Sequence, residues 1–329
     1  MKQSKFISAI LLATVFLGFA ACGDEDETIP QLSATFDVSA GTLSSLIGTK
    51  KVTDLKLTGQ LNGDDINTIR EMWWLSVLDI GDASIVSGGS AYFTNTYTAN
   101  NVIGNGMFGF FAPLTSVILP NNVIEIGSGA FEGCPLTSVT IPNSVTFLHR
   151  DAFHNCKDLT SITIGSGVTE IADYKSTMTY DGYYAFKGCT SLKEFIVSEQ
   201  NAKFFAVDGV LFENDNYNHK TLLIYPMAKE NTSYAIPDGM TKIGRAAFSG
   251  STLTSITIPA SVSVIHNDAF VGNSRLTEIH IKRQNPPGIT DGTVAGPFKN
   301  VKLLYVPVGS LAAYKVAKYW RDISHIIEE

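Results

Sequence analysis

Positive charge never accumulates in this sequence. There is no Lys/Arg-rich run, and the formal net charge is −7. Phosphate backbones need clustered cations, so nucleic acid is excluded as a partner. Cysteine is scarce, at 4 residues, and no two of them stand in a C-x-x-C pair, which excludes the usual zinc frameworks. Gly-x-Ser-x-Gly, His-Glu-x-x-His and P-loop patterns are all missing. Nothing points to the two close carboxylates of a glycosidase either. The chain reads as non-enzymatic and free of cofactors or metals. Long apolar runs are also lacking: the longest, Phe6 to Leu17, falls short of the ~20 residues of a membrane span. What remains is 329 residues with 44% hydrophobic and 17% charged side chains, the balance of a folded chain.

That short apolar run has a different use. Lys2 and Lys5 precede it, and Gly18-Phe19-Ala20-Ala21 leads into Cys22. Basic start, apolar middle and small residues make a secretory signal. A cysteine at this point resembles the bacterial lipobox, in which the thiol is lipidated and becomes the first residue; Phe19 departs from the leucine more usual there. The alternative is an ordinary cleaved signal. Gly23-Asp24-Glu25-Asp26-Glu27 follows. It serves as a solvated linker, and it also resembles the export tag of surface lipoproteins of the Bacteroidetes group. The expectation is a signal peptide over 1–21, then a lipidated Cys22 and acidic tether over 22–33. The protein would then sit on the outer membrane, exposed at the cell surface and held by lipid alone.

The rest is organised by a phrase. Leu119-Pro120 is followed by Val123, Ile126, Ala130-Phe131, Cys134 and Leu136-Thr137-Ser138-Val139. Ile141-Pro142 is followed by Val145, Leu148, Ala152-Phe153, Cys156 and Leu159-Thr160-Ser161-Ile162. Phe131 and Phe153 stand 22 residues apart, a period that signals a solenoid. Further copies carry Phe108, Phe186, Phe248 and Phe270 in the same slot. One copy cannot bury its apolar side alone, so stacking must supply the core. The prolines after each strand cannot donate to a ladder and end it. The phenylalanines are expected to stack as an aromatic spine.

Residues 34–106 read as an N-terminal cap and first divergent repeat. They include a strand at Val52–Leu57, a helix over Asp65 to Trp73 capped near Asn62-Gly63-Asp64, and a long connection over 81–106. Residues 107–329 form the solenoid. A β-hairpin insertion at about 198–235 pairs Phe204–Phe212 with Thr221–Pro226. A cap from about 298 ends in a helix begun at Ser310 and running through Trp320.

The phrase Ile-Pro-x-x-Val-x-x-Ile-x-x-x-Ala-Phe-x-x-Cys-x-x-Leu-Thr-Ser-Ile resembles the BspA-like leucine-rich repeat family of bacterial surface proteins. The Val207-to-Phe212 stretch and the ending Val306-Pro307 through Trp320 resemble elements of that family too. The resemblance implies a curved leucine-rich repeat solenoid of the α/β horseshoe type, with short strands and irregular or short helical returns. It implies an adhesin-like surface role and brings no catalytic residues.

Cys134, Cys156 and Cys189 share one slot of the phrase. Stacked coils bring Cys134 and Cys156 within disulfide range and leave Cys189 odd. Against this stands the preferred reading, three small thiols packed inside the turn. His149 and His266 share another slot, several coils apart, so they cannot form one site. Tyrosines gather in two insertions on the same edge: Tyr92 and Tyr97 before Phe108, and Tyr174, Tyr180 and Tyr183 before Phe186. A ring with a polar tip suits stacking on sugars or peptides; packing within their own loops is the alternative. The leading expectation is a monomeric surface protein that binds a protein or extracellular-matrix partner. A glycan-binding component of a nutrient-capture system and a structural protein without soluble ligand are the alternatives.

Overall fold

The computed structural model describes residues 32–171, 184–215, 219–290 and 297–329. The leader, Cys22 and the acidic tether lie outside these residues, as do Tyr174, Tyr180 and Tyr183. The chain winds as a β-solenoid with two parallel ladders. One takes the Leu-Thr-Ser-Ile segments: Ser116–Ile118, Ser138–Ile141, Ser161–Ile164, Glu194–Val197, then Ser233–Ala235, Ser255–Ile258, Glu278–Ile281 and Leu303–Val306. The other takes short pairs such as Glu125–Ile126, Phe147–Leu148 and Glu170–Ile171. Register is strict: Ser138, Ser161 and Glu194 align, as do Val139, Ile162 and Phe195. Side chains alternate across a strand, so this register points every Val139-type residue inward. Val139, Ile162 and Phe195 are accordingly buried, while the serine and threonine columns between them face out.

The spine forms as the period requires. Phe108, Phe131, Phe153 and Phe186 stack with ring centroids 5.4, 5.3 and 6.0 Å apart. Phe248 stacks on Phe270 at 5.3 Å, and Phe298 and Trp320 continue the row. Main-chain bonds join the coils along it, with Phe131 N donating to Ala152 O at 2.8 Å and Phe153 N to Ala185 O at 2.8 Å.

The ends and insertions differ from the sequence expectation. The helix runs over Gly63–Arg70, not on to Trp73, and a shorter one spans Leu43–Ile47. Asn62 caps the longer helix in a capping box. The fully buried Asp65 accepts from the amides of Asn62, Gly41 and Leu43 at 2.9, 2.6 and 2.9 Å, tying both helix starts together. The region 81–106 is not a plain connection, because Val77–Ile85 is a strand and Gly88–Phe93 pairs antiparallel with Thr96–Thr98. Phe204–Phe212 is two strands rather than one. Asp208 and Gly209 both have positive φ, 50° and 72°, and turn Phe204–Val207 back on Val210–Asn214, which then pairs with Lys220–Ile224. The insertion is therefore a three-stranded meander. At the C-terminal end the helix stops at Val316, since Ala317 is extended, and Trp320–Asp322 adds one tight turn. Ser310 makes no side-chain cap; its hydroxyl donates to Pro307 O instead. His325–Glu328 then adds a last parallel strand that the expected terminal helix left out.

Candidate functional site

The meander divides the core. Leu211 and Leu223 pack with the coils before it, and Val210, Phe212 and Leu222 with the coils after it. Neighbouring residues of one strand point to opposite faces, so a single strand serves both cores. The aromatic spine pays for this division. Tyr225 takes the phenylalanine slot of its coil, with its amide donating to Ala247 O at 2.7 Å and its ring 5.5 Å from Phe248. Among the described residues no ring contact joins it to Phe186, which turns instead against Phe195 at 5.4 Å.

Where the row is interrupted, a cleft of about 380 Å³ opens at the edge formed by the Ala-Phe turns. Its apolar floor includes Phe186, Leu192 and Tyr225, and His154, Lys187 and Arg245 stand in its wall. Among the described residues no aspartate or glutamate lines it. Two of these side chains are held from outside the cleft: His154 Nδ1 lies 3.0 Å from Glu132, and Arg245 Nη2 lies 2.8 Å from the buried Asp268. Burial pushes the Tyr225 hydroxyl up to about 12, so it stays neutral at any physiological pH.

The same edge carries exposed aromatics at its N-terminal end. The residue two after the spine phenylalanine has positive φ in each regular coil, at Gly133, Asn155, Gly188, Gly250 and Gly272. In the first coil that position is Phe110, with φ 57° and 69% exposed. A left-handed phenylalanine costs about 1–2 kcal/mol. Its ring covers Gly133, so closely that a Cβ there would stand 2.8 Å away. Phe93, 53% exposed, lies over Gly106 at the start of the same turn.

Only part of the tyrosine set is placed on this surface. Tyr97 is 59% exposed on the Gly88–Thr98 hairpin. Tyr92 is a correction: it is buried, its hydroxyl tucked against Gly104, so its ring is core and not a stacking platform. Tyr174, Tyr180 and Tyr183 fall outside the described residues. The sequence reading missed Phe110, although its slot shows glycine or asparagine in the other copies. It also missed the cleft, whose only trace in sequence is the meander interrupting the 22-residue beat.

The three repeat cysteines are free and buried. Each thiol donates to the carbonyl of the spine phenylalanine one coil back: Cys134 to Phe108 at 3.0 Å, Cys156 to Phe131 at 3.0 Å, Cys189 to Phe153 at 3.2 Å. Burial pushes Cys134 and Cys189 up to about 12 and Cys156 higher still, which leaves no reactive thiolate. Of the two repeat-slot histidines, His149 pairs with Glu125, and burial lowers His266 below its ordinary range. Among the described residues no three His, Cys, Asp or Glu side chains gather as a metal site. No described helix is long and apolar enough to cross a membrane.

Comparison with known proteins agrees with this architecture. The family model for the BspA type leucine-rich repeat region matches residues 101–218 and 227–307 in 6 copies. A leucine-rich repeat protein from Eubacterium ventriosum has the same fold, at TM-score 0.50 and 19% identity over 82% of this chain and 72% of its own. A leucine-rich cell surface protein from Faecalibacterium prausnitzii aligns at TM-score 0.49 and 18% identity over 95% of both chains. A leucine-rich repeat protein from Bacteroides ovatus aligns at 0.43 and 16% over 97% of this chain and 99% of that one. No curated protein matches the chain.

Proposed function

Because the chain belongs to the BspA-type leucine-rich repeat family, its repeat region matched in 6 copies, we propose that it is a non-catalytic binding protein of the bacterial surface. In this reading residues 1–21 are a signal peptide, Cys22 carries the lipid, residues 22–33 are the tether, and a monomeric solenoid faces outward from the outer membrane. The partner is a protein, of the host matrix or of another cell. The observation that carries the reading is the cleft: along an edge built from tight repeated turns, one break in the stacking opens an apolar-floored recess of about 380 Å³. That volume is in the range of binding pockets.

Two measurements test it. Cys22→Ala abolishes membrane retention and protease-accessible display; a variant that still fractionates with membranes refutes the lipid anchor. The purified full-length protein, run over an array of extracellular-matrix proteins and glycans, retains a protein; silence across the array sinks the reading in favour of a structural role. A second reading, glycan capture, rests on Phe93 and Phe110, two exposed rings flanking one turn. It stands only if a glycan is retained by the native chain and lost in Phe93→Ala/Phe110→Ala.

A further inference from the structure

Resting on the lipid-anchor reading above, we propose that the first coils carry a membrane-docking patch, in which Trp73 enters the head-group layer of the phospholipid surface and Lys50 and Lys51 meet its phosphates. The chain has 3 tryptophans, and two of them serve the fold. Trp320 is buried in the C-terminal cap, and Trp74 packs part-buried against the core. Trp73 turns the other way and stays 63% exposed, its ring 4.9 Å from that of Trp74 and edge-on to it. An indole joins a large apolar body to one N–H donor, and it is favoured where hydrocarbon meets water. Two exposed lysines stand with it. Lys51 Nζ lies 6.0 Å from the centroid of the Trp73 ring, and Lys50 Nζ 5.5 Å from that of Phe36. A ring face leaves a cation's charge in place, and among the described residues neither lysine makes an ion pair. Glu71, exposed two residues before Trp73, offsets one of them, and the patch keeps a net positive charge.

The patch stands where the tether joins the fold. The Leu32 amide donates to Thr53 Oγ1 at 3.0 Å, and the Thr53 amide donates back to Leu32 O at 2.9 Å. Thr53 follows Lys51 by two residues, so Leu32 enters the ladder beside the lysines. Cys22 and Leu32 are ten positions apart, and the chain between them spans at most about 35 Å. A lipid on Cys22 therefore keeps the patch close to the bilayer, at the high local concentration that a weak contact needs. Asp24, Glu25, Asp26 and Glu27 share the sign of the phosphates, so the attraction falls to the folded part. Docking there also gives the solenoid a direction. Six strand spacings along the ladder separate Ser33–Val38 from Glu194–Val197, about 29 Å in all. Leu192 of the cleft stands just before that last strand, so the cleft is held out from the bilayer.

The test uses the purified protein as the cell processes it, reconstituted with vesicles of phosphatidylcholine and phosphatidylglycerol. Their acyl chains either carry bromine near the head group or do not, and bromine quenches an indole only on contact. Tryptophan emission of the vesicle-bound protein falls in the brominated vesicles, and Trp73→Phe removes that loss. Lys50→Glu/Lys51→Glu cuts the loss at least about twofold at low salt, and high salt does the same to the native chain. Both variants keep the parent melting temperature, because all three side chains are exposed. Equal emission from the two kinds of vesicle overturns the proposal. So does a loss that survives Trp73→Phe, and so does undiminished quenching in the lysine variant. Weaker retention of a matrix protein by Trp73→Phe, without quenching of the native chain, would give the patch to a protein partner instead. A protein that floats with the vesicles through its lipid and shows no quenching keeps the anchor and loses the docking. A protein found without lipid and still quenched through Trp73 loses the anchor and keeps the docking.

Discussion

The coils before the meander and the coils after it solve one packing problem in two ways. Three residues past the spine phenylalanine, the first set places Cys134, Cys156 and Cys189, each donating to a carbonyl one coil back. The second set places Ser251 and Asn273 there, both buried, and Ser251 Oγ donates forward to Asn273 Oδ1 at 2.9 Å. The slot therefore selects a small side chain that hydrogen-bonds to the adjoining coil, and not a thiol as such. A sulfur suits the apolar interior at little cost, whereas Asn273 Nδ2 is buried with no hydrogen-bond partner among the described residues. The first set also stacks its rings more nearly parallel: Phe108, Phe131, Phe153 and Phe186 meet at interplanar angles of 21°, 5° and 13°. In the second set only Phe248 and Phe270 do so, at 11°, and Tyr225, Phe298 and Trp320 join that row tilted.

The largest test of this contrast removes a ring from each side. Phe153→Ala takes a fully buried ring from the middle of the stack and should cost about 3–5 kcal/mol. Phe270→Ala, 5% exposed beside a tilted Phe298, should fall at the lower end of that range. Chemical denaturation is expected to show one transition moved by both variants, since the Val210–Asn214 strand belongs to both cores. Two transitions, each moved by one variant, would mean that the meander separates the halves instead of coupling them. An unmoved midpoint in Phe153→Ala would disprove the buried spine.

Next comes the slot itself. Ser251→Ala leaves Asn273 Oδ1 without its donor and should lose about 1–2 kcal/mol. Cys156→Ala loses the thiol's donation to Phe131 and a little volume, with a similar or smaller penalty. Alkylation gives a second view of the same slot. None of the three thiols should label in the folded protein, and all should label once it is unfolded. Rapid labelling of the native chain would contradict the inward packing.

The spine and the inward columns are legible in the repeat itself. The 22-residue beat names the inward residues, because a parallel ladder in strict register repeats its burial pattern coil after coil. The beat fails where the chain leaves it. Asp208-Gly209 sits inside an apolar run that reads as one strand, and its turn is visible only if the dipeptide outweighs the run. The Gly88–Thr98 hairpin has a weak strand composition and is fixed by the bond from the Asn67 side chain of the helix to Ala91 O. The final strand pairs with Leu303–Val306 through long-range contacts that carry no local signal. Tyr92 and Tyr97 are five residues apart and alike in sequence, yet one is core and the other surface. That difference follows from the hairpin, which the loop's composition does not announce.

Phe110 should show the smaller effect of backbone strain at the start of the first set. The other regular coils place glycine or asparagine at this position, so Phe110→Gly relieves the left-handed cost and gives back part of it as backbone entropy. The net expectation is a gain of about 0.5–1 kcal/mol in denaturant unfolding. A loss of stability would show that the ring's contact with Gly133 outweighs the strain, and would sharpen the case for packing over ligand contact at this end.

At the far end of the second set, the smallest effect is set by pH. Glu329 accepts from Lys282 Nζ at 2.6 Å and lies 3.0 Å from His280 Nδ1, which lowers its carboxyl below the ordinary range, Lys282 contributing most. A carboxyl depressed in the folded state stabilises above its unfolded pKa of about 4.5 and loses that contribution as pH falls through the lower folded value. Lys282 is half exposed, so solvent screening keeps the whole effect to well under about 1 kcal/mol. Glu329→Gln should therefore unfold slightly earlier than the native chain at neutral pH, and the difference should vanish in acid. The first set ends differently, with the Glu194–Val197 strand passing directly into the meander. If the Glu329→Gln difference persisted in acid, it could not arise from the carboxylate's charge. The ionic clamp would then have no share in holding the terminal strand, which the backbone bond from Glu329 N to Val306 O at 2.9 Å would still hold in both proteins.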